Sequence, residues 1–237
     1  MTKYVEERGK VDESLGLVEY QIKWDPTRNP HQTFVVVGDV GKSSRIKLSS
    51  LNVPCIMVFS IPDDFLTEPC RMVAFEWFDG GGSYATFVNR MKRLMHEYRA
   101  VGYYDATNVQ TALEDLGGTA GFASMPTTPI YFSGLGYKKW AVAVLTQMLE
   151  DGLLQFPYIK ALWYQGRIFD PSSKTRADDI IATLLVLMLA FRVESSLYDK
   201  LAEKYKWVTE IDDDDLYDYT DPHASTYYED VGRYDRL

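Results

Sequence analysis

Cysteine is scarce in this 237-residue chain: Cys55 and Cys70 are its only two. Two thiols make neither a disulfide framework nor a metal-type cluster, so they read as reduced structural thiols. The three histidines, His31, His96 and His223, show no metal-ligand spacing, and none is assigned a metal. Long hydrophobic runs are missing too. The longest apolar stretch, Ile180 to Phe191, is too short to cross a bilayer and is flanked by Asp178-Asp179 and Arg192, so it reads as a buried helix. The first residues, Met1 to Arg8, have neither an apolar signal region nor an Arg-rich transit character, so the expectation is a cytosolic chain with no membrane partner. An excess of positive charge is also lacking, with 25 Lys and Arg against 34 Asp and Glu and a formal net charge of −9. That imbalance is concentrated: residues 210–237 hold ten acids and two bases, which leaves the body close to neutral. A near-neutral body can carry a local basic rim around an acidic site, so net charge does not exclude a nucleic-acid partner.

What the chain does have is apolar runs that end or begin in acid. Asp39 closes Thr33-Phe-Val-Val-Val-Gly38, Asp105 closes Val101-Gly-Tyr-Tyr104, and Asp178-Asp179 opens the stretch from Ile180. Carboxylates far apart in sequence, each placed where a regular element meets a loop, can converge on one spot and hold hard cations through oxygen. A two-metal phosphodiesterase is built this way. Each acid also has a plainer reading. Asp178 or Asp179 suits a helix N-cap, Asp39 a turn beside Gly38 and Gly41, and Asp105 an Asx-turn before Ala106-Thr107. It is the conjunction of all three that favours a site. Glu76, an acid in the apolar run Val73 to Phe78, is either a further ligand or, by strand alternation, a solvent-facing residue.

Element order follows from period and punctuation. Residues 1–32 are polar, a lead-in with one strand at 16–24. Strands are expected at 33–38, 54–61 and 71–78, each a β-rich run bounded by Gly, Pro or Asp. Three in succession suggest antiparallel neighbours. Phe87, Met91, Leu94, Met95 and Tyr98 then recur at helical spacing, predicting an amphipathic helix over 83–99. A fourth strand at 101–104, a short helix at 109–116, a fifth strand at 128–132 and a helix at 135–154 follow, and this alternation implies parallel pairing. Residues 162–176 read as a hairpin turning at Asp170-Pro-Ser-Ser173. A long helix over 177–205 breaks near Glu194 to Ser196. The fold class is therefore α/β, a mixed five-stranded sheet of three antiparallel strands and then two parallel ones, flanked by helices. The folded body spans 33–209. The tail 210–237, acidic and tyrosine-rich without a period, is a solvated or partner-bound extension.

Gly38-Asp-Val-Gly-Lys-Ser43 after an apolar strand invites a phosphate-binding-loop reading, but the spacing refuses it. Such a loop needs four residues between the first Gly and Gly-Lys-Ser/Thr, whereas Gly38 and Gly41 enclose two and the required Gly position is Val36. Lys42, Arg45 and Lys47 suit phosphate-backbone contacts beside a metal site, or a solvated loop. Lys174 and Arg176, together with Arg167, lie in the expected hairpin just before Asp178 and suit a DNA-gripping or gating flap.

The order of elements, with acids after the first core strand, after the fourth and at a late helix, is the layout of the ribonuclease H-like fold. Within it, Val36-Val-Gly-Asp-Val-Gly41, Tyr104-Asp-Ala-Thr-Asn-Val-Gln110 and Ala177-Asp-Asp-Ile-Ile-Ala-Thr-Leu184 resemble the nuclease domain of the large terminase subunit of tailed phages. Pro129-Ile-Tyr-Phe-Ser-Gly134 with Lys138-Lys139 is similar to that family's fifth strand and the helix behind it, so the likeness covers about residues 33–192. Asn108 and Gln110 depart from the family's Asp-Ala-Thr-Gly-Val-Gly. Asn tolerates a left-handed backbone, while Gln110 adds a side chain where close approach was possible.

The resemblance implies an endonuclease that cuts concatemeric double-stranded DNA during viral genome packaging, with two Mg²⁺ or Mn²⁺ ions. Asp39 would bridge both ions, Asp105 would bind one, and Asp179 or Asp178 the other, with Asp179 preferred. It further implies the terminase ATPase portion, the small terminase subunit and the portal as partners, and the cytoplasm of an infected host cell as the place of action. No motor motif lies in this chain. A Holliday-junction resolvase or integrase uses the same fold, and a non-enzymatic virion or scaffold protein is the third reading.

Overall fold

The structure, a computed structural model, describes residues 4–8, 20–24, 32–40, 54–78, 84–107, 122, 125–132, 135–169 and 179–209. Its centre is three strands that are apolar on both faces over most of their length: β3 (Gln32–Asp39), β4 (Cys55–Pro62) and β5 (Cys70–Trp77). All eight residues of β4 are buried, which requires cover on both sides of the sheet. β3 pairs antiparallel with β4, and β4 antiparallel with β5, across a bulge that shifts the register after Val58. The chain then forms α1 (Tyr84–Tyr98) and returns as β6 (Val101–Asp105), parallel to β3, and β7 (Thr127–Ile130), parallel to β6.

Two earlier strands lengthen the sheet. β1 (Tyr4–Arg8) pairs with β2 (Tyr20–Trp24), and β2 pairs antiparallel with the second half of β5. The short β8 (Leu154–Gln155) takes the first half of that same edge in parallel. The order across the sheet is β1-β2-β5-β4-β3-β6-β7. The five strands β5-β4-β3-β6-β7, with the first core strand in the middle and a switch from antiparallel to parallel there, form the expected mixed sheet. The segment read as a polar lead-in thus supplies two strands to one edge.

Helices cover the two faces unequally. Among the described residues α1 is the one helix on its face, burying Phe87, Val88, Met91, Leu94, Met95 and Tyr98, which include the stripe that its spacing predicts. It approaches closely because two sheet positions are glycine. A Cβ on Gly38 would meet the Phe87 ring at 2.6 Å, and one on Gly102 would meet Met91 and Met95 at 2.8 Å. On the other face lie α2 (Leu135–Glu150), α3 (Lys160–Ile168), α4 (Asp179–Val193) and α5 (Ser195–Lys204), followed by a 3₁₀ turn, Lys206–Thr209. α4 is apolar almost all round because it is sandwiched between the sheet and its sister helices. It ends at Glu194, where the chain bends by 95° into α5, the break expected there. No single helix among the described residues is long and apolar enough to cross a membrane.

Two readings are corrected. Leu162 to Phe169 is not one arm of a hairpin but most of α3. Leu162 and Gln165 face inward at helical spacing while Trp163 and Tyr164 stay exposed, so the aromatics that suggested a strand lie on the outside of a helix. Residues 170–176, including Lys174 and Arg176, lie outside the described residues, as does the expected helix at 109–116. Glu76 does not face solvent. Strand alternation turns it away from Phe75 and Trp77 as expected, but α1 covers that face, and Glu76 is only 1% exposed.

Candidate active site at the carboxyl ends of two parallel strands

In a sheet that mixes helices and parallel strands, ligands gather outside the carboxyl ends of those strands, where the connections diverge. Asp39 and Asp105 occupy that position on β3 and β6. The parallel register pairs Gly38 with Tyr104, so the two acids are the next step along neighbouring strands, which lie about 4.8 Å apart. Alternation sets their direction. Val35, Val37 and Tyr103 belong to the core beneath α2 and α4, so Asp39 and Asp105 point to that same face. Asp39 is 7% exposed.

The third acid arrives with α4, whose first residue is Asp179, on the same face of the sheet. Cys55, directly across the β3–β4 ladder from Asp39, ties the pieces together. Its thiol is fully buried, and burial pushes it well above the ordinary range. A hydrogen bond with Thr183 opposes that push, while the negative charges of Asp179 and Asp39 add to it. One sulfur is therefore within electrostatic reach of both acids. Residues 39, 105 and 179 thus share one face of the sheet, with Asp39 and Asp105 at neighbouring strand ends.

Asp105 is held at its strand end by a local turn. Its Oδ1 accepts the backbone N–H of Thr107 at 2.8 Å, and the Thr107 hydroxyl in turn accepts the N–H of Phe132 at 3.0 Å, which locks the β6 and β7 ends together. The Asx-turn reading of Asp105 is thus realised, and it is compatible with a second role. Burial raises the Asp105 carboxyl above its usual value, with the Thr107 contacts pulling the other way. A carboxylate whose ionised form is disfavoured by its surroundings gains most from a nearby cation.

Asp179 is enclosed. It is 0% exposed, its Oδ2 accepts the indole N–H of Trp77, and its Oδ1 accepts the amide of Gln165 at 2.9 Å. The same Gln165 side chain accepts the N–H of Ile180 at 3.0 Å through its Oε1, and the Thr183 hydroxyl donates to the Asp179 carbonyl at 2.8 Å. Gln165 so satisfies one of the amides left open at the start of α4. Trp77 and Gln165 were not singled out by sequence, and Cys55 was read only as a structural thiol. The reason is plain for Trp77, which lies 102 positions from its partner and carries no motif.

Asp178, Lys42, Arg45, Lys174 and Arg176 lie outside the described residues. Among the described residues, no three His, Cys, Asp or Glu groups stand close enough together to hold one ion. The described donors suited to a hard divalent cation are the Asp39 and Asp105 carboxylates on neighbouring strand ends, with Asp179 behind them. Their all-oxygen chemistry and the burial of Asp105 fit such an ion.

No protein-family model and no curated protein sequence matches this chain. Solved structures do. The crystal structure of the large terminase nuclease from thermophilic phage G20c matches with a TM-score of 0.54 and 18% identity, covering 70% of this chain and 86% of that one. The same nuclease with bound zinc matches equally well, at 0.54 and 18%, over 70% of this chain and 85% of the other. The class defined by the sheet is accordingly the ribonuclease H-like fold. Within it, the chain shares the architecture of this terminase nuclease over 70% of its length.

Proposed function

We propose that this chain is a metal-dependent endonuclease of the viral genome-packaging terminase, hydrolysing phosphodiesters of concatemeric double-stranded DNA. The observation that carries the reading is the placement of Asp39 and Asp105 at adjacent carboxyl ends of β3 and β6, on the sheet face that α4 covers, in a fold shared with a terminase nuclease. Asp39 and Asp105 would hold divalent cations, Mg²⁺ or Mn²⁺, with Asp179 or Asp178 completing a site for two ions. Ions bound there supply an activated water and charge stabilisation at the leaving 3′ oxygen. The chain's own part is to set the geometry. Asp105 is fixed by Thr107, Asp179 by Trp77 and Gln165, and the buried core under α4 keeps water from the back of the site.

Lys42, Arg45, Lys174 and Arg176, near the acids in sequence, would grip the phosphate backbone, and their contribution should fall with salt. The ATPase portion, small terminase subunit and portal are the proposed partners, and the cytoplasm of an infected host cell is the proposed setting. Plasmid nicking in Mn²⁺, with and without EDTA, tests the reading. Cutting that EDTA stops and that Asp39→Ala and Asp105→Ala abolish in folded protein supports it. Cutting by both variants at the parent rate rejects it, and preference for four-way junctions over linear duplex would turn it toward a resolvase.

A further inference from the structure

Asp179 sits in a cradle more elaborate than a helix N-cap requires. An N-cap needs one side-chain acceptor for one or two backbone amides. Here the acid itself receives two donors from two other elements: the Trp77 indole from the end of β5 and the Gln165 amide from α3. The amide at the start of α4 is served instead by Gln165 Oε1, through its bond to Ile180 N. Gln165 is itself buried, 6% exposed. It uses both ends of its amide, so its orientation is fixed: with Nε2 on the carboxylate, Oε1 must face the backbone N–H.

These donors are neutral, and they differ from an ion pair in what they do. An indole N–H and a carboxamide orient the carboxylate plane and lower the cost of its charge without cancelling that charge. The two bonds reach different oxygens, so together they fix the plane of the carboxylate as well as its direction. Carboxylates that bind metal are commonly held this way by hydrogen-bonding neighbours that set their direction. α3 has no side-chain cap of its own, and its buried Gln165 is spent on α4.

We infer that Trp77 and Gln165 are positioning residues for the metal site, fixing the Asp179 carboxylate and with it the start of α4 against the Asp39 and Asp105 strand ends. This rests on the proposed nuclease reading and adds to it two residues from outside the acidic motifs. The division of labour is specific. Trp77 sets the Oδ2 side through a donor on β5, the strand two places from β3. Gln165 sets the Oδ1 side and locks the helix backbone in the same stroke.

The test uses the full chain and reads metal binding apart from cutting. Trp77→Phe keeps an aromatic ring and removes the donor. Gln165→Glu keeps an acceptor for Ile180 N and removes the donor to Asp179, whereas Gln165→Leu removes both. Melting curves are recorded with EDTA and with a Mn²⁺ series, because a ligand that binds only the folded state raises its stability in proportion to ln(1 + [L]/Kd). The expected result is a cooperative melt in EDTA for Trp77→Phe and Gln165→Glu, with apparent Mn²⁺ affinity weakened about 10–100-fold, the usual effect of losing an outer partner. Nicking by these variants should recover at high Mn²⁺, a rescue that a purely structural role would not give. Mn²⁺ affinity equal to the parent in both folded variants overturns the inference. Should either fail to fold, the other and Gln165→Leu carry the comparison, and an unrescued loss of cutting at saturating Mn²⁺ counts against the inference. Asp39→Asn runs alongside: if it too binds Mn²⁺ and cuts like the parent, the nuclease reading fails, whereas normal Trp77 and Gln165 variants beside a dead Asp39→Asn defeat only the positioning roles.

Discussion

Glu76 and Trp77 are neighbours on β5, and they lead to two different ways of burying an acid. Glu76 points to the α1 face, where Arg93 and Arg90, one helical turn apart, pair with its two oxygens, Arg90 at 3.5 Å. Arg90 also lies over the Phe78 ring, 4.0 Å from its centroid. Trp77 points to the other face and meets Asp179 with a neutral indole. On the first face guanidinium charge neutralises the carboxylate, and the result is a strap between sheet and helix. On the second the bonds from Trp77 and Gln165 come from neutral groups and orient the acid, on the face that also carries Asp39 and Asp105. A guanidinium strap ties elements together, while neutral donors that set a carboxylate's direction are the kind of neighbour that a metal-binding carboxylate commonly has.

Removing acids from the second face should give the largest effect. Asp39→Asn or Asp105→Asn is expected to lower plasmid cutting by about 10²–10⁴-fold, since a bound metal ion contributes several kcal/mol to transition-state charge stabilisation and each 1.4 kcal/mol is tenfold. Both should melt cooperatively in EDTA. Cutting within threefold of the parent would place the chemistry elsewhere.

On the first face the effect should fall on stability instead. Replacing Arg90 and Arg93 together by Leu leaves Glu76 buried without those partners and should cost about 3 kcal/mol or more. Glu76→Gln should cost less, about 1 kcal/mol, because both arginine side chains are partly exposed and water can reach them. Urea unfolding at pH 7 gives both numbers. An equal cost for the two, or a loss of cutting by Glu76→Gln at a temperature where it is folded, would erase the distinction between the faces.

A subtler contrast concerns Asp105. Its charged form is disfavoured by burial, so in EDTA Asp105→Asn should raise the melting temperature slightly. In Mn²⁺ the order should reverse, because the parent gains binding energy that the variant lacks. A variant less stable than the parent in both conditions would mean that Asp105 is chiefly a turn former.

How far these faces could be read from sequence differs in a way that follows from distance along the chain. Strands 33–38, 54–61 and 71–78 lie within a residue of their observed bounds because each is a β-rich run with a breaker at both ends. α1 was legible from its stripe of Phe87, Met91, Leu94, Met95 and Tyr98, and Asp39, Asp105 and Asp179 from their places at element ends. α3 was not, because Trp163 and Tyr164 beside Ile168 and Phe169 mimic a β-rich run, and only the inward pair Leu162 and Gln165 carries the helical period. The Glu76 strap was hidden for another reason. Alternation gave its direction correctly, yet whether a helix lies over that face is a tertiary fact; the clue was Arg90 and Arg93 at i, i+3 on the polar side of α1. Trp77 and Gln165 reach Asp179 from 102 and 14 positions away, and no local pattern encodes such contacts.

Asp151 extends the comparison to the surface, and its effect should be the smallest. It lies just after α2, where its Oδ2 accepts the Tyr205 hydroxyl at 2.5 Å and faces Lys204 at 3.6 Å, while Gln147 donates to Oδ1 at 3.1 Å. The Tyr205 hydroxyl is the main influence holding the Asp151 carboxyl below its ordinary value, with Gln147 and Lys204 acting the same way. A carboxyl lowered in the folded state adds stability above its unfolded pKa of about 4 and loses it as pH falls through the lower folded value. Tyr205→Phe should therefore flatten the acid limb of the stability curve below about pH 4 and leave cutting unchanged. Urea midpoints at pH 7 and pH 3 measure the slope. The two proteins should differ more at pH 7 than at pH 3, since protonation removes the interaction from the parent as well. No difference at either pH would assign the role of Tyr205 to its ring packing beside Trp207, which Phe keeps, rather than to its hydroxyl.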